Sequence, residues 1–135
     1  MDKKIVRKMI KRIESVPESY DQSVFYIEES NRSPCGTVAC LAGEAVICSA
    51  KTVEAGIKLA FEDLGRLLDR ADKVLGLPPD HSVFAANGRG WPEPHRSNFA
   101  KATTGKARSQ VAVAYLKEAL KRGTMVWETG DTDGN

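Results

Sequence analysis

Long apolar runs are missing from this sequence. Its longest falls far short of the roughly 20 residues that a membrane-spanning helix requires, so no transmembrane helix is expected. The basic residues near the start are not followed by an uninterrupted apolar stretch, and a secretory signal is therefore not expected either. Cysteine is scarce and odd in number, three in all. Their irregular spacing does not fit a secreted disulfide framework, and a reducing cytosol suits them better. A charge excess of one sign is lacking too. Lys and Arg number 20 against 18 Asp and Glu, a net charge of +2 that is too mild to argue for nucleic acid by itself. There is no Walker-type lysine pattern, no complete signature of a thiol enzyme and no internal repeat. No cofactor is implied.

What remains is the composition of an ordinary soluble domain. The chain has 135 residues, 41% hydrophobic and 28% charged, enough to bury one core without staples. Residues 1–127 are expected to form a single helical domain, and 128–135 a disordered acidic tail.

The periodicity predicts an all-α fold, a compact bundle of four to five helices around a central apolar helix at about 37–50. The first helix should span about 2–15. Ile5, Met9, Ile13 and Val16 share one face, with Val6 and Ile10 beside them, and Lys3, Lys4, Arg7, Lys8, Lys11 and Arg12 fall opposite. Pro17 ends it. Residues 18–34 keep neither a 2-residue nor a 3.6-residue period, and read as a lid on the core followed by a loop. The central helix should start near Thr37, with Thr37 or Ser33 as its cap. Between Val38 and Ala50 only Gly43, Glu44 and Ser49 are not apolar, the pattern of a helix surrounded by other elements. A third stripe runs from Ile57 to Leu75, with Thr52 as cap, Gly56 and Gly65 as break points and Gly76 as its end. Val83 and Phe84 should face inward. Residues 87–98 read as a loop, about 104–122 as the last long helix closed by Gly123, and Met125, Val126 and Trp127 as a segment that docks back.

Several residues can carry chemistry. Cys35 and Cys40 have a spacing that some metal sites tolerate, but His81 or His95 would have to complete the ligand set. Cys48 lies roughly 12 Å from Cys40 along a helix axis, too far to share an ion. Cys35, just ahead of the central helix, is placed for a thiolate with His81 or His95 as base. Against both readings, Cys40 and Cys48 serve equally as small core residues. The amides of Gly36, Thr37 and Val38 can hold an anion if they open the helix. Glu44, the lone charge of the central helix, needs water, an Arg partner or a catalytic reason. The basic face of Lys4, Arg7, Lys8 and Lys11 is either solvated or meets an acidic partner, nucleic acid or a membrane surface. In the 87–98 loop, Arg89, Trp91, His95 and Arg96 can contact a ligand or partner, unless Trp91-Pro92 plugs the core.

The run Cys35-Gly36-Thr37-Val38-Ala39-Cys40-Leu41-Ala42-Gly43, the later Leu75-Gly76-Leu77, Trp91-Pro92 and the segment from Val111 to Leu116 resemble a family. They are similar to small bacterial and bacteriophage proteins with a Cys-Gly-Thr-x-Ala-Cys core helix. The resemblance implies a helical accessory protein and supplies no reaction; Glu44 stands where an aromatic or His would be expected.

The reading that follows is a cytoplasmic, non-enzymatic binding module. Its partner would be a host protein, for instance one of a bacterial defence system, or a small phosphorylated ligand. The alternatives are a thiol-dependent enzyme or zinc protein using Cys35, Cys40 and His95, and nucleic-acid binding through the first helix. No membrane is among the expected partners, and a homo-oligomer is left open.

Overall fold

The computed structural model describes residues 1–16, 27–28, 37–38, 40–62, 64–78, 80–84 and 88–128. Among the described residues are six helices: α1 (Lys3–Ser15), α2 (Leu41–Ser49), α3 (Val53–Glu62), α4 (Leu64–Leu75), α5 (His95–Lys101) and α6 (Gly105–Arg122). Two short strands, β1 (Ile27–Glu28) and β2 (Thr37–Val38), pair antiparallel, with Ile27 opposite Val38 and Glu28 opposite Thr37. The fold is the expected all-α bundle. The lid and loop expected over 18–34 lie outside the described residues except at Ile27 and Glu28, and so does the tail expected over 128–135 except at Glu128.

α1 forms because its apolar residues recur at helical spacing and its first turn is capped. The Asp2 carboxylate accepts the Ile5 amide at 3.2 Å, meeting one of the donors that a helix start leaves unpaired. Val6, Met9, Ile10 and Ile13 make the buried stripe. α2 is buried from Leu41 through Cys48, as a helix apolar nearly all round must be. It packs on α1, α3 and α4, while α1 also packs on α6, and α6 on α5. α1 therefore joins the two halves of the core.

α2 begins at Leu41 rather than near Thr37. Thr37 and Val38 are β-branched and favour extended backbone, and they are used in β2 instead. Cys40, extended at φ −81° and ψ −172°, is the N-cap.

Over the long stripe after α2 the described residues form α3 and α4, with Gly56 inside the first and Gly65 inside the second. Thr52 caps α3, its hydroxyl accepting the Ala55 amide at 3.1 Å. Gly56 has another duty. α3 crosses α2 so closely that a Cβ at Gly56 would lie 2.6 Å from the Ile47 Cα.

The last four residues of the segment read as a loop, 95–98, are helical and open α5. Its buried face consists of His95 and Phe99 alone, one i, i+4 pair, too short a signal for periodicity to register. α6 starts from Thr104, whose hydroxyl accepts the Ala107 amide at 3.0 Å, and ends at Gly123 in the left-handed conformation, φ +84°. Beyond it Met125 is buried, the Tyr115 hydroxyl donates to the Val126 carbonyl at 2.6 Å, and the Glu128 amide donates to Gly90 at 2.8 Å. The 125–127 segment thus docks back as expected. Among the described residues no helix is long and apolar enough to cross a membrane.

Gly56→Ala tests the α2–α3 approach. Alanine is the better helix former, yet the substitution should destabilise by about 1–3 kcal/mol because backbone must move aside. Gly105→Ala, where the added Cβ meets nothing within 4 Å, should cost far less. Urea denaturation of both variants makes the comparison, and equal midpoints would contradict the close crossing.

Candidate functional site

Glu44 is fully buried, and its partner comes from α1. The Arg12 Nε donates to the Glu44 Oε1 at 2.6 Å, and the Arg12 side chain is 11% exposed. Arg12 was expected on the solvated face of α1. It turns inward because a carboxylate inside an apolar helix cannot stay ionised without a counter-charge. Glu44 is thereby held as a structural anchor, the Arg-partnered reading of the three.

The cysteines divide. Cys35 and Gly36 lie outside the described residues. Cys40 and Cys48 are free and buried. Burial pushes the Cys40 thiol up to about 11, against the opposing pull of the Gly43 and Ala42 amides. Burial, with the Glu44 carboxylate adding to it, pushes Cys48 up to about 12. Both are neutral thiols at physiological pH, poor nucleophiles and poor metal ligands as they stand. The helix mouth where a thiolate or anion was expected belongs to Cys40, not to Cys35 or Thr37. Thr37 sits in β2, so its amide does not belong to the first turn of α2. The misplacement followed from cap chemistry: Thr37 is a favoured N-cap type and cysteine is not. Among the described residues no three His, Cys, Asp or Glu side chains come together as a metal site would need.

The Trp91 region is a structural knot. Trp91 is fully buried, its Nε1 donates to the Val83 carbonyl at 2.8 Å, and its ring packs on Phe99 and Tyr115 at centroid distances of 5.1 and 4.9 Å. It plugs the core, the packing reading of the two. A buried indole needs an acceptor for its N–H, which the 83 carbonyl supplies. His95 is buried beside Tyr115 and hydrogen-bonds the Glu118 carboxylate through Nε2. That bond first, then the Arg122 guanidinium, holds Glu118 below the usual carboxylate range. Arg96 reaches Glu93 at 3.2 Å and lies 4.0 Å from Glu128. Arg89 is exposed.

His81 was weighed as a metal ligand and as a thiol's base. Its Nδ1 accepts the Val83 amide at 3.1 Å, which places the proton on Nε2, facing the Asp72 carboxylate at 2.6 Å. Both ring nitrogens are committed to holding the 81–84 turn against α4. Nothing in the local sequence signals this pairing, since Asp72 and His81 meet only through the turn after α4.

The basic face of α1 leads to a different place. Lys8 and Lys11 line a groove of about 320 Å³ with Lys51, over a floor of Ile47 and Cys48 and beside Val53. Arg12, Ser15 and Thr52 also border it. Lys4 and Arg7 are exposed on α1 outside this groove. Sequence periodicity placed Lys8 and Lys11 on one helix face but held no signal for Lys51, which the turn between α2 and α3 brings to them. A second groove of about 360 Å³ between α1 and α6 is crossed by the Glu14–Lys117 pair at 3.2 Å and has no such charge excess.

Two outcomes follow. Glu44→Ala should cost about 3–5 kcal/mol by leaving Arg12 without its carboxylate, whereas Glu44→Leu combined with Arg12→Leu should cost much less; urea denaturation measures both. In a Cys35→Ser background, Cys40 and Cys48 should resist a chromogenic disulfide reagent in the native protein at neutral pH and react once guanidinium unfolds it. Rapid native reaction would contradict the burial. No protein-family model, curated protein or solved structure matches this chain, and its function is read from these residues and their surroundings.

Proposed function

We propose that this chain is a non-enzymatic binding module that holds an anionic partner in the groove between α1 and the α2–α3 turn. The observation that carries this reading is the convergence of Lys8, Lys11 and Lys51 around one concave surface. Three cations there raise the local concentration of an anion and speed its arrival. Within the bacterial or bacteriophage setting that the resemblance implies, the partner is a host protein, such as a defence component, or a small phosphorylated ligand.

The ionisable side chains weighed for catalysis support a binding role. Glu44 faces Arg12, His95 faces Glu118, and His81 is used at both nitrogens. Cys40, part of the thiol alternative, is a buried neutral thiol.

Inorganic pyrophosphate, polyglutamate and an oligothymidylate serve as anionic probes in an NMR titration. At low salt at least one should shift the amide signals of residues 8–12 and 50–53, with an affinity that falls as salt rises. The triple variant K8E/K11E/K51E should bind about tenfold or more weakly, the scale of a lost electrostatic attraction. If no probe perturbs the groove in a lysine-dependent way, the reading is wrong.

A further inference from the structure

We infer that the occupant of this groove is an acidic peptide segment of another protein, one that places an aliphatic side chain between carboxylates. The inference rests on the groove being the anion-binding site and specifies what kind of anion fits it.

Charge and shape both bear on the choice. One wall is α1, with Lys8 and Lys11 one turn apart, and the other is the α2–α3 turn, with Lys51 and Val53. The floor between them is aliphatic and thiol surface, Ile47 and Cys48, both buried. That floor is already shielded from water, and the apolar surface the groove leaves open is Val53, 41% exposed and one of two large hydrophobics left exposed among the described residues. A purely polyanionic ligand would leave Val53 in water. An aliphatic side chain packed against it gains roughly 25 cal/mol for each Å² of apolar surface removed from water, while flanking carboxylates meet the lysines. An apolar centre with a charged rim is the layout of a protein-recognition patch.

The same features argue against nucleic acid. Single strands are held by aromatic rings on which bases stack, and among the described residues no aromatic lines the groove. Guanine edges are best read by the planar fork of arginine, yet the groove's arginine, Arg12, turns to Glu44, and the exposed cations described at the groove are lysines. Lysine is a point charge that tolerates many carboxylate geometries, which suits an extended or helical acidic segment.

The test pans a displayed library of random peptides against the immobilised full chain. Enriched peptides should be acidic, with Leu, Ile or Val between carboxylates. A synthetic copy of the commonest should bind at least about tenfold more weakly to K8E/K11E/K51E and to Val53→Asp. Both variants alter exposed positions, and thermal melts check that they remain folded. The inference falls alone if the enriched peptides show no acidic bias or ignore Val53→Asp while polyglutamate, pyrophosphate or the oligothymidylate still binds through the lysines. A groove that reads charge only, or nucleic acid, is then the result. If neither peptides nor those probes depend on the lysines, the inference and the anion-binding reading fall together.

Discussion

The buried Arg12–Glu44 pair constrains the rest of this molecule. A carboxylate inside the most apolar helix of a bundle demands a cation at one position and one distance, 2.6 Å in this case. That demand fixes how α1 is rotated against α2. With Arg12 turned inward, the stripe of Val6, Met9, Ile10 and Ile13 meets the core, and Lys8 and Lys11, on the adjacent edge of the helix, come to the groove. The pair is a costly way to join two helices, since both charges leave water. Its use lies in register, because a hydrophobic contact at the same place would allow α1 to roll.

Much of the architecture was legible in the sequence because it is local. The α1 stripe, the nearly all-apolar α2, the Thr52 cap, the start of α6 near Thr104 and the Gly123 terminator each depend on a few neighbouring residues whose preferences agree with the final fold. Agreement failed where a preference was overruled from a distance. Thr37 has the chemistry of an N-cap, but pairing with β1 takes it, and Cys40 caps without a polar side chain. α5 escaped notice because one buried pair makes no pattern. Arg12 lies in an otherwise basic run, and only the burial of Glu44 singles it out.

The candidate site was legible in halves. Lys8 and Lys11 were visible as part of a charged face, but the floor and the opposite wall belong to α2 and the turn after it, and no periodicity links them. The conspicuous residues proved structural. Trp91 and His95 carry the chemistry of recognition, yet each meets its polar requirement inside the fold, at the Val83 carbonyl and the Glu118 carboxylate. The quieter lysines retain exposed charge. α1 and the α2–α3 turn therefore present the proposed contact surface, and the irregular 88–94 segment serves as internal scaffolding.

The way that scaffolding is fastened has a dynamic consequence. The Ser82 hydroxyl donates to the Glu128 carbonyl at 2.8 Å, the Glu128 amide donates to Gly90, Trp91 holds Val83, and Tyr115 holds Val126. No α-helix or sheet ladder runs through the described residues of these stretches, so each is secured by contacts to the others. Segments tied in this mutual fashion depend on one another to stay closed. Residues 82–84, 88–91 and 125–128 are fastened as one set, although more than thirty residues of chain separate its two ends.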